Sequence, residues 1–204
     1  MTDGYGDFVI KLLKYGNTNT FFIKNGSEGL LFDTDWAGTL PLFYKEIKAR
    51  DIAFDDIKYV MATHYHPDHM GLISELMTKG IRLILLDVQR DHVHYSDEIF
   101  RRDSRLHYIP ICEEHAVIMT CEETRNFLKE IGINGECIHT PGHSDDSISL
   151  ILDEGIALVG DLDPIDFVEA YEENTALKKS WERVLEFRPH TVYYGHANEK
   201  RFTS

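Results

Sequence analysis

The segment Thr63-His64-Tyr65-His66-Pro67-Asp68-His69-Met70-Gly71 packs three histidines and one aspartate into six positions directly after an apolar run, Ile57 to Ala62. A buried strand that opens into so polar a loop demands an edge where that loop can be used. Imidazoles at i and i+2 on a strand exit can address one point, while the aspartate and the next histidine reach a second point beside it. One short loop could therefore serve two metal ions. The plainer reading is a polar turn with solvated histidines, and residues further along the chain decide between the two.

A chain of 204 residues suits one domain with a sizeable core. No low-complexity linker, charge block or repeat argues for a boundary, so a single domain over residues 1–204 is expected. Lys plus Arg number 21 against 35 Asp plus Glu, a net of 21 − 35 = −14, and such a field repels phosphate backbones and anionic membranes. The expected partner is a small-molecule substrate, with no nucleic acid and no membrane; oligomeric state is left open. Met1 to Asp7 carry no basic leader and precede no long apolar stretch, which makes a cytoplasmic location the expectation. Cys112, Cys121 and Cys137 are odd in number and form no CxxC pair, consistent with reduced thiols.

Short apolar runs bounded by Gly and Asn predict strands at Phe8 to Leu13, Thr20 to Lys24 and Gly29 to Asp33, with Asn25-Gly26 as a hairpin turn. Helical spacing follows over Gly38 to Asp51 and again from Leu72 to Gly80, and Arg82 to Leu86 returns as a strand. Val88 to Arg105 reads as one or two exposed helices, a candidate lid in which Arg90, Arg101, Arg102 and Arg105 either pair with a substrate anion or form a solvated face. The second half alternates in the same way. Strands are expected at Ala116 to Met119, Glu136 to Thr140, Ser147 to Leu152, Ile156 to Gly160 and Thr191 to Gly195. Thr120 with Glu123 marks a capping box, and Asn174 caps a helix that ends before Pro189. Strands in both halves with helices between them imply two sheets packed face to face under helices.

Three more strand ends repeat the logic of the first loop. Gly142-His143, Gly160-Asp161 and Gly195-His196 each set a glycine immediately before a ligand-type side chain. Each alone is an ordinary strand-end residue. Together with the first loop they supply seven N and O ligands, enough for two metals sharing a carboxylate.

On these residues the chain resembles the metallo-β-lactamase superfamily. The HxHxDH signature falls on His64, His66, Asp68 and His69, the later ligands on His143, Asp161 and His196 in order, and the likeness runs from Asn19 to His196. The resemblance implies an α/β (α+β) fold, a four-layer αββα sandwich. It implies His64, His66 and His143 on a first metal, Asp68, His69 and His196 on a second, and Asp161 bridging. Asp33, at the end of Leu31-Phe32-Asp33, would stand behind the ligands and orient them. The cofactors implied are two divalent metal ions per chain, zinc first, with iron or manganese compatible with the N/O donor set.

The expected activity is that of a dinuclear metal-dependent hydrolase using a metal-bridging hydroxide on a small ester, thioester or lactone, with Asp68 also carrying the proton. Two alternatives are an iron-dependent oxygenase or redox protein of the same superfamily, persulfide dioxygenase-like or diiron, and a non-catalytic metal-binding protein. Departures from better-known branches narrow the choice. One group of zinc β-lactamases has a Cys where Asp161 stands; a well-known lactonase type has a Tyr where Pro164 stands. Glyoxalase II enzymes continue into a helical domain, whereas the sequence ends at Ser204, so glutathione thioesters are not the expected substrate. His92 and His94 are read as exposed or lid residues, and His107, His115, His139 and His190 as structural. Tyr65, Tyr193, Tyr194 and Trp36 are candidates for a cleft wall, Asp145, Asp146, Asp163 and Asp166 for loop acids around it.

Overall fold

A computed structural model describes residues 8–170 and 173–202. Expectations about Met1 to Asp7 lie outside the described residues. The first half builds a six-stranded sheet in the order β1 (Val9–Leu13), β2 (Thr20–Lys24), β3 (Gly29–Phe32), β4 (Ile57–Met61), β5 (Arg82–Leu86), β6 (Val117–Met119). β1 to β3 run antiparallel, with Gly26 at φ 113° in the Asn25-Gly26 turn, and β3 to β6 run parallel. Crossovers between the parallel strands are made by α1 (Leu40–Ala49), by α2 (Pro67–Met70) with α3 (Ile73–Met77), and by the segment holding α4 (Asp97–Arg101). After β6 comes α5 (Cys121–Glu130), opened by the expected capping box: the Glu123 N–H donates to Thr120 Oγ1 and the Thr120 N–H to Glu123 Oε2.

The second sheet contains β7 (Gly135–His139), β8 (Ile148–Leu152), β9 (Ile156–Leu158), β10 (Thr191–Tyr193) and β11 (Lys200–Arg201), in the order β11-β10-β9-β8-β7. Between β9 and β10 lies α6 (Thr175–Glu186), whose first turn is capped by Asn174 Oδ1 accepting the Leu177 N–H.

Period-two alternation sorts these strands into layers. Phe21, Ile23, Leu30 and Phe32 of the first sheet face Ile148, Leu150, Leu152 and Leu158 of the second, forming the core between the sheets. Phe22, Leu31, Val60 and Leu83 point the other way, against Phe43 and Ile47 of α1 and Leu76 of α3. On the far side Ile151, Ala157 and Val192 pack against Leu177, Trp181 and Val184 of α6. The result is a four-layer αββα sandwich.

Three local readings change. Instead of one helix from Leu72, the chain makes two short ones, the first begun at Pro67, where a missing N–H is harmless, so the HxHxDH loop itself is partly helical. The 88–105 region is a mixture of 3-10 helix and turn around the five-residue α4. The short strand β11 has no counterpart among the expected strands, its two residues being too few for alternation to show. Among the described residues no helix is long and apolar enough to cross a membrane.

Candidate metal centre

β3 and β4 are parallel, and so are β9 and β10; β7 lies antiparallel to β8, which lies antiparallel to β9. The carboxyl ends of all five site-bearing strands therefore emerge on one edge of the sandwich. A backbone bond from the Ile148 N–H to the Thr63 carbonyl, 2.8 Å, ties the two sheets together there. The approach is close enough to demand glycine. A Cβ at Gly160 (φ 58°) would lie 2.5 Å from Thr63 Oγ1, and one at Gly195 would lie 2.5 Å from Asp161 Oδ1.

All seven candidate ligands meet at this edge, in two separate groups joined by a third, His64 with His69 and Asp161. Ligand atoms of His64, His66 and His143 lie within 4.8 Å of one another, as do those of Asp68, His69 and His196. His66 Nδ1 is 3.0 Å from both His64 Nε2 and His143 Nε2, and His69 Nε2 is 3.3 Å from His196 Nε2. Asp161 sits between the groups, with Oδ2 3.7 Å from His143 Nε2 and 3.4 Å from His196 Nε2, and Oδ1 3.2 Å from His69 Nε2. Asp68 Oδ2 is 3.0 Å from His196 Nε2.

The donor chemistry fits metal ions. Ring nitrogens facing ring nitrogens gain nothing unless a proton or a cation lies between them, and the buried Asp161 Oδ1 has only the His69 ring nitrogen beside it, at 3.2 Å. The opposite faces of the rings are anchored. His64 Nδ1 meets Thr63 Oγ1 at 3.0 Å, His69 Nδ1 meets Asp33 Oδ2 at 3.1 Å, and His196 Nδ1 meets the Asn17 carbonyl at 3.2 Å. Asp33 is itself buried at φ 61°, accepting the Thr63 N–H at 2.6 Å and the Thr63 hydroxyl at 3.0 Å. One carboxylate thus aligns the loop entrance and one imidazole.

The imidazoles are driven apart in basicity. Burial, then the charges of neighbouring imidazoles, hold His64 well below its usual value, and burial likewise lowers His66. Burial would lower His69 too, but Asp33 and Asp161 more than offset it and raise the group to about 10. The pair between the His69 imidazolium and these carboxylates accordingly stabilises the metal-free protein fully below 6.5 and is lost as pH rises through about 10. At neutral pH a metal must displace that proton. Loading of metal-free protein at pH 7 is expected to release protons, measured with an indicator dye in weak buffer, and because His69 regains its proton below about 10, affinity at its position is expected to weaken already as pH falls through that value.

Around the centre lie two clefts. One of about 290 Å³ is bordered by His143, Asp161, Pro164, Tyr194 and His196; the other, about 190 Å³, by Tyr65, His66, His92, Tyr95 and Asp146. Tyr194 and Tyr65 thus reach a cleft, while Tyr193 turns between the sheets against Phe21, ring centroids 5.1 Å apart. Trp36 packs edge-on against Phe100 of α4. His92 borders the second cleft, whereas His94 turns to Asp97 and Glu113. Tyr95, its ring 5.6 Å from that of His66, escapes a reading of the sequence, since an exposed tyrosine in a polar segment carries no pattern of its own. The four arginines of this region favour the solvated reading: Arg90 pairs with Glu113, Arg101 with Asp97 and Glu98, and Arg105 with Asp103, while Arg102 is exposed.

An αββα sandwich with imidazoles and carboxylates converging on one edge defines a class of metal-site proteins. A sequence profile described as the metallo-beta-lactamase superfamily matches residues 13–196, and the chain belongs to that superfamily. It is 26% identical over 187 residues to the beta-lactamase-like protein 2 homolog of Drosophila melanogaster, covering 89% of this chain and 59% of that protein. It is 30% identical over 145 residues to an atrochrysone carboxyl ACP thioesterase of Passalora fulva, covering 69% of this chain and 35% of that protein. The chain thus matches only part of the length of these relatives. Among solved structures, a metallo-beta-lactamase family protein from Thermus thermophilus superposes with a TM-score of 0.65 at 20% identity, over 96% of this chain and 74% of that one, a likeness of fold.

Proposed function

We propose that the protein is a dinuclear metal-dependent hydrolase of a small ester, thioester or lactone, acting in the cytoplasm. The observation that carries this reading is the placement of Asp161 between two imidazole-bearing groups, His64/His66/His143 and Asp68/His69/His196. Those residues would hold the two ions, zinc by preference and iron or manganese otherwise, with Asp161 shared. Metals in such a site supply Lewis-acid polarisation of a carbonyl and a lowered pKa for water. Asp68 is half-buried at the centre and holds the proton-handling role: it takes a proton from the attacking water and returns it to the leaving group. Asp33 and Thr63 keep His69 and His64 oriented. A relative named as a thioesterase supports the hydrolytic reading.

Among the described residues, neither cleft is bordered by a lysine or an arginine, and Asp145, Asp146 and Asp163 stand on their rims. Small neutral or singly charged carbonyl compounds are therefore the expected substrates, and polyanions are expected to be slow. A panel of small esters, thioesters, lactones and phosphodiesters at two salt concentrations checks this. Rapid cleavage of RNA or DNA with little carbonyl turnover would overturn it.

Metal content gives the direct test. Titration of metal-free protein is expected to saturate at two equivalents, and Asp68→Ala and His196→Ala to lose one. Saturation at one equivalent, with both variants unchanged, would sink the dinuclear reading, and a visible iron chromophore in protein purified without chelator would point instead to redox chemistry.

A further inference from the structure

The chain between β1 and β2 runs past the metal centre, and what it touches there belongs to one half of it. Thr18 Oγ1 donates to the Asp68 carbonyl at 2.7 Å. The Asn17 carbonyl meets His196 Nδ1 at 3.2 Å. The Asn19 N–H donates to the Gly195 carbonyl at 2.7 Å, and its side-chain amide donates to the carbonyls of Tyr194 at 2.9 Å and Ala197 at 3.1 Å, enclosing the turn that carries His196. Among the described residues, none of the hydrogen bonds from 16–19 reaches His64, His66 or His143.

The segment is itself fastened from below by a residue no motif singled out. Asp35 is buried, and its Oδ2 accepts the Thr18 N–H at 2.9 Å while Oδ1 accepts the Trp36 N–H at 2.6 Å. Gly16 lets the chain pass over this carboxylate, for a Cβ there would lie 2.1 Å from Asp35 Oδ2. Thr18 and Asn19 are buried too, so the geometry is imposed by packing as well as by hydrogen bonds.

We propose that residues 16–19, held down by Asp35, form a positioning strap that sets the affinity of the Asp68/His69/His196 metal position without acting on the His64/His66/His143 position. The inference rests on the two-metal reading above and adds its control. A carbonyl facing His196 Nδ1 selects the tautomer protonated there, which leaves Nε2 free to bind metal. His196 is partly exposed, so without that partner the ring has other rotamers available. Thr18 does the same for Asp68 through the main chain, fixing the backbone from which the carboxylate projects. The His64/His66/His143 group is organised instead by the exits of β4 and β7 and by Thr63, none of which needs the strap. Stepwise loading follows: a first ion is held by the sheet ends, and a second only as firmly as the strap is seated.

The test is a titration of metal-free protein with Zn²⁺ against a competing chelator, reading both dissociation constants in wild type, Thr18→Ala, Thr18→Ser and Gly16→Ala. Outer partners of metal ligands typically contribute about 10–100-fold in affinity. The first constant is expected to stay at the wild-type value in every variant, which also reports an intact fold. The second is expected to weaken by about 10–100-fold in Thr18→Ala and in Gly16→Ala, and to recover in Thr18→Ser, which keeps the hydroxyl. A wild type that binds two ions while all variants match it, or variants that weaken both constants equally, would overturn the strap. A wild type that binds only one ion would overturn the two-metal reading, and the strap with it.

Discussion

Replacing Asp68 by Asn is expected to lower kcat on any ester or thioester the protein turns over by at least about 100-fold, the lower end of what a positioned proton carrier contributes. Asn keeps the shape and one oxygen but removes the charge. Burial works against that charge, yet the hydrogen bond from His196 and the His69 charge hold the Asp68 carboxyl at about 2, so the group is ionised throughout the physiological range. Asp68 is partly exposed at the edge of the sandwich, and folding is expected to survive its replacement. Steady-state kinetics with metal analysis of the same samples separates the roles. Near-full turnover with metal still bound would show that Asp68 does not carry the proton.

The largest stability effect is expected at Asp33. Its carboxylate is 2% exposed and serves the Thr63 N–H, the Thr63 hydroxyl and His69 Nδ1 together. Asp33→Ala removes the acceptor from all three, stranding a buried peptide N–H and a buried imidazolium, and breaking such a pair typically costs about 3–5 kcal/mol. Alanine also tolerates the left-handed backbone at φ 61° less well than aspartate does. Urea unfolding of metal-free protein at pH 7 measures the loss. At pH 10 and above, where His69 gives up its proton, the difference between variant and wild type is expected to shrink. A difference that stays constant across that range would assign the effect to the Thr63 bonds alone.

Most of the sandwich is readable in the strands. Thr20 to Lys24 and Arg82 to Leu86 are bounded in the structure where turn residues and alternation place them, because burial on two faces leaves nearly continuous apolar runs that are hard to mistake. The Thr120/Glu123 box and the Asn174 cap are legible for a different reason: a helix start is decided by side chains within one turn of it. Resemblance across Asn19 to His196 points to the candidate ligands, since His64, His66, Asp68 and His69 sit so close together that one loop must present them all.

Contacts between residues far apart in sequence are out of reach of such reasoning. Nothing in the segment 16–19 marks it as lying against Asp68 and His196, and Asp35 looks like any acid beside Asp33 until the fold sets it beneath Thr18. Tyr95 reaches His66, and Arg90 finds Glu113, only through the path of the 3-10 turns around α4. Sequence by itself determined the layers, the strand ends and the residue types gathered there, because those depend on local periodicity and local chemistry. The tertiary structure alone decided which of those residues touch, and with what backing, because that depends on how two sheets with no shared sequence pattern meet at one edge.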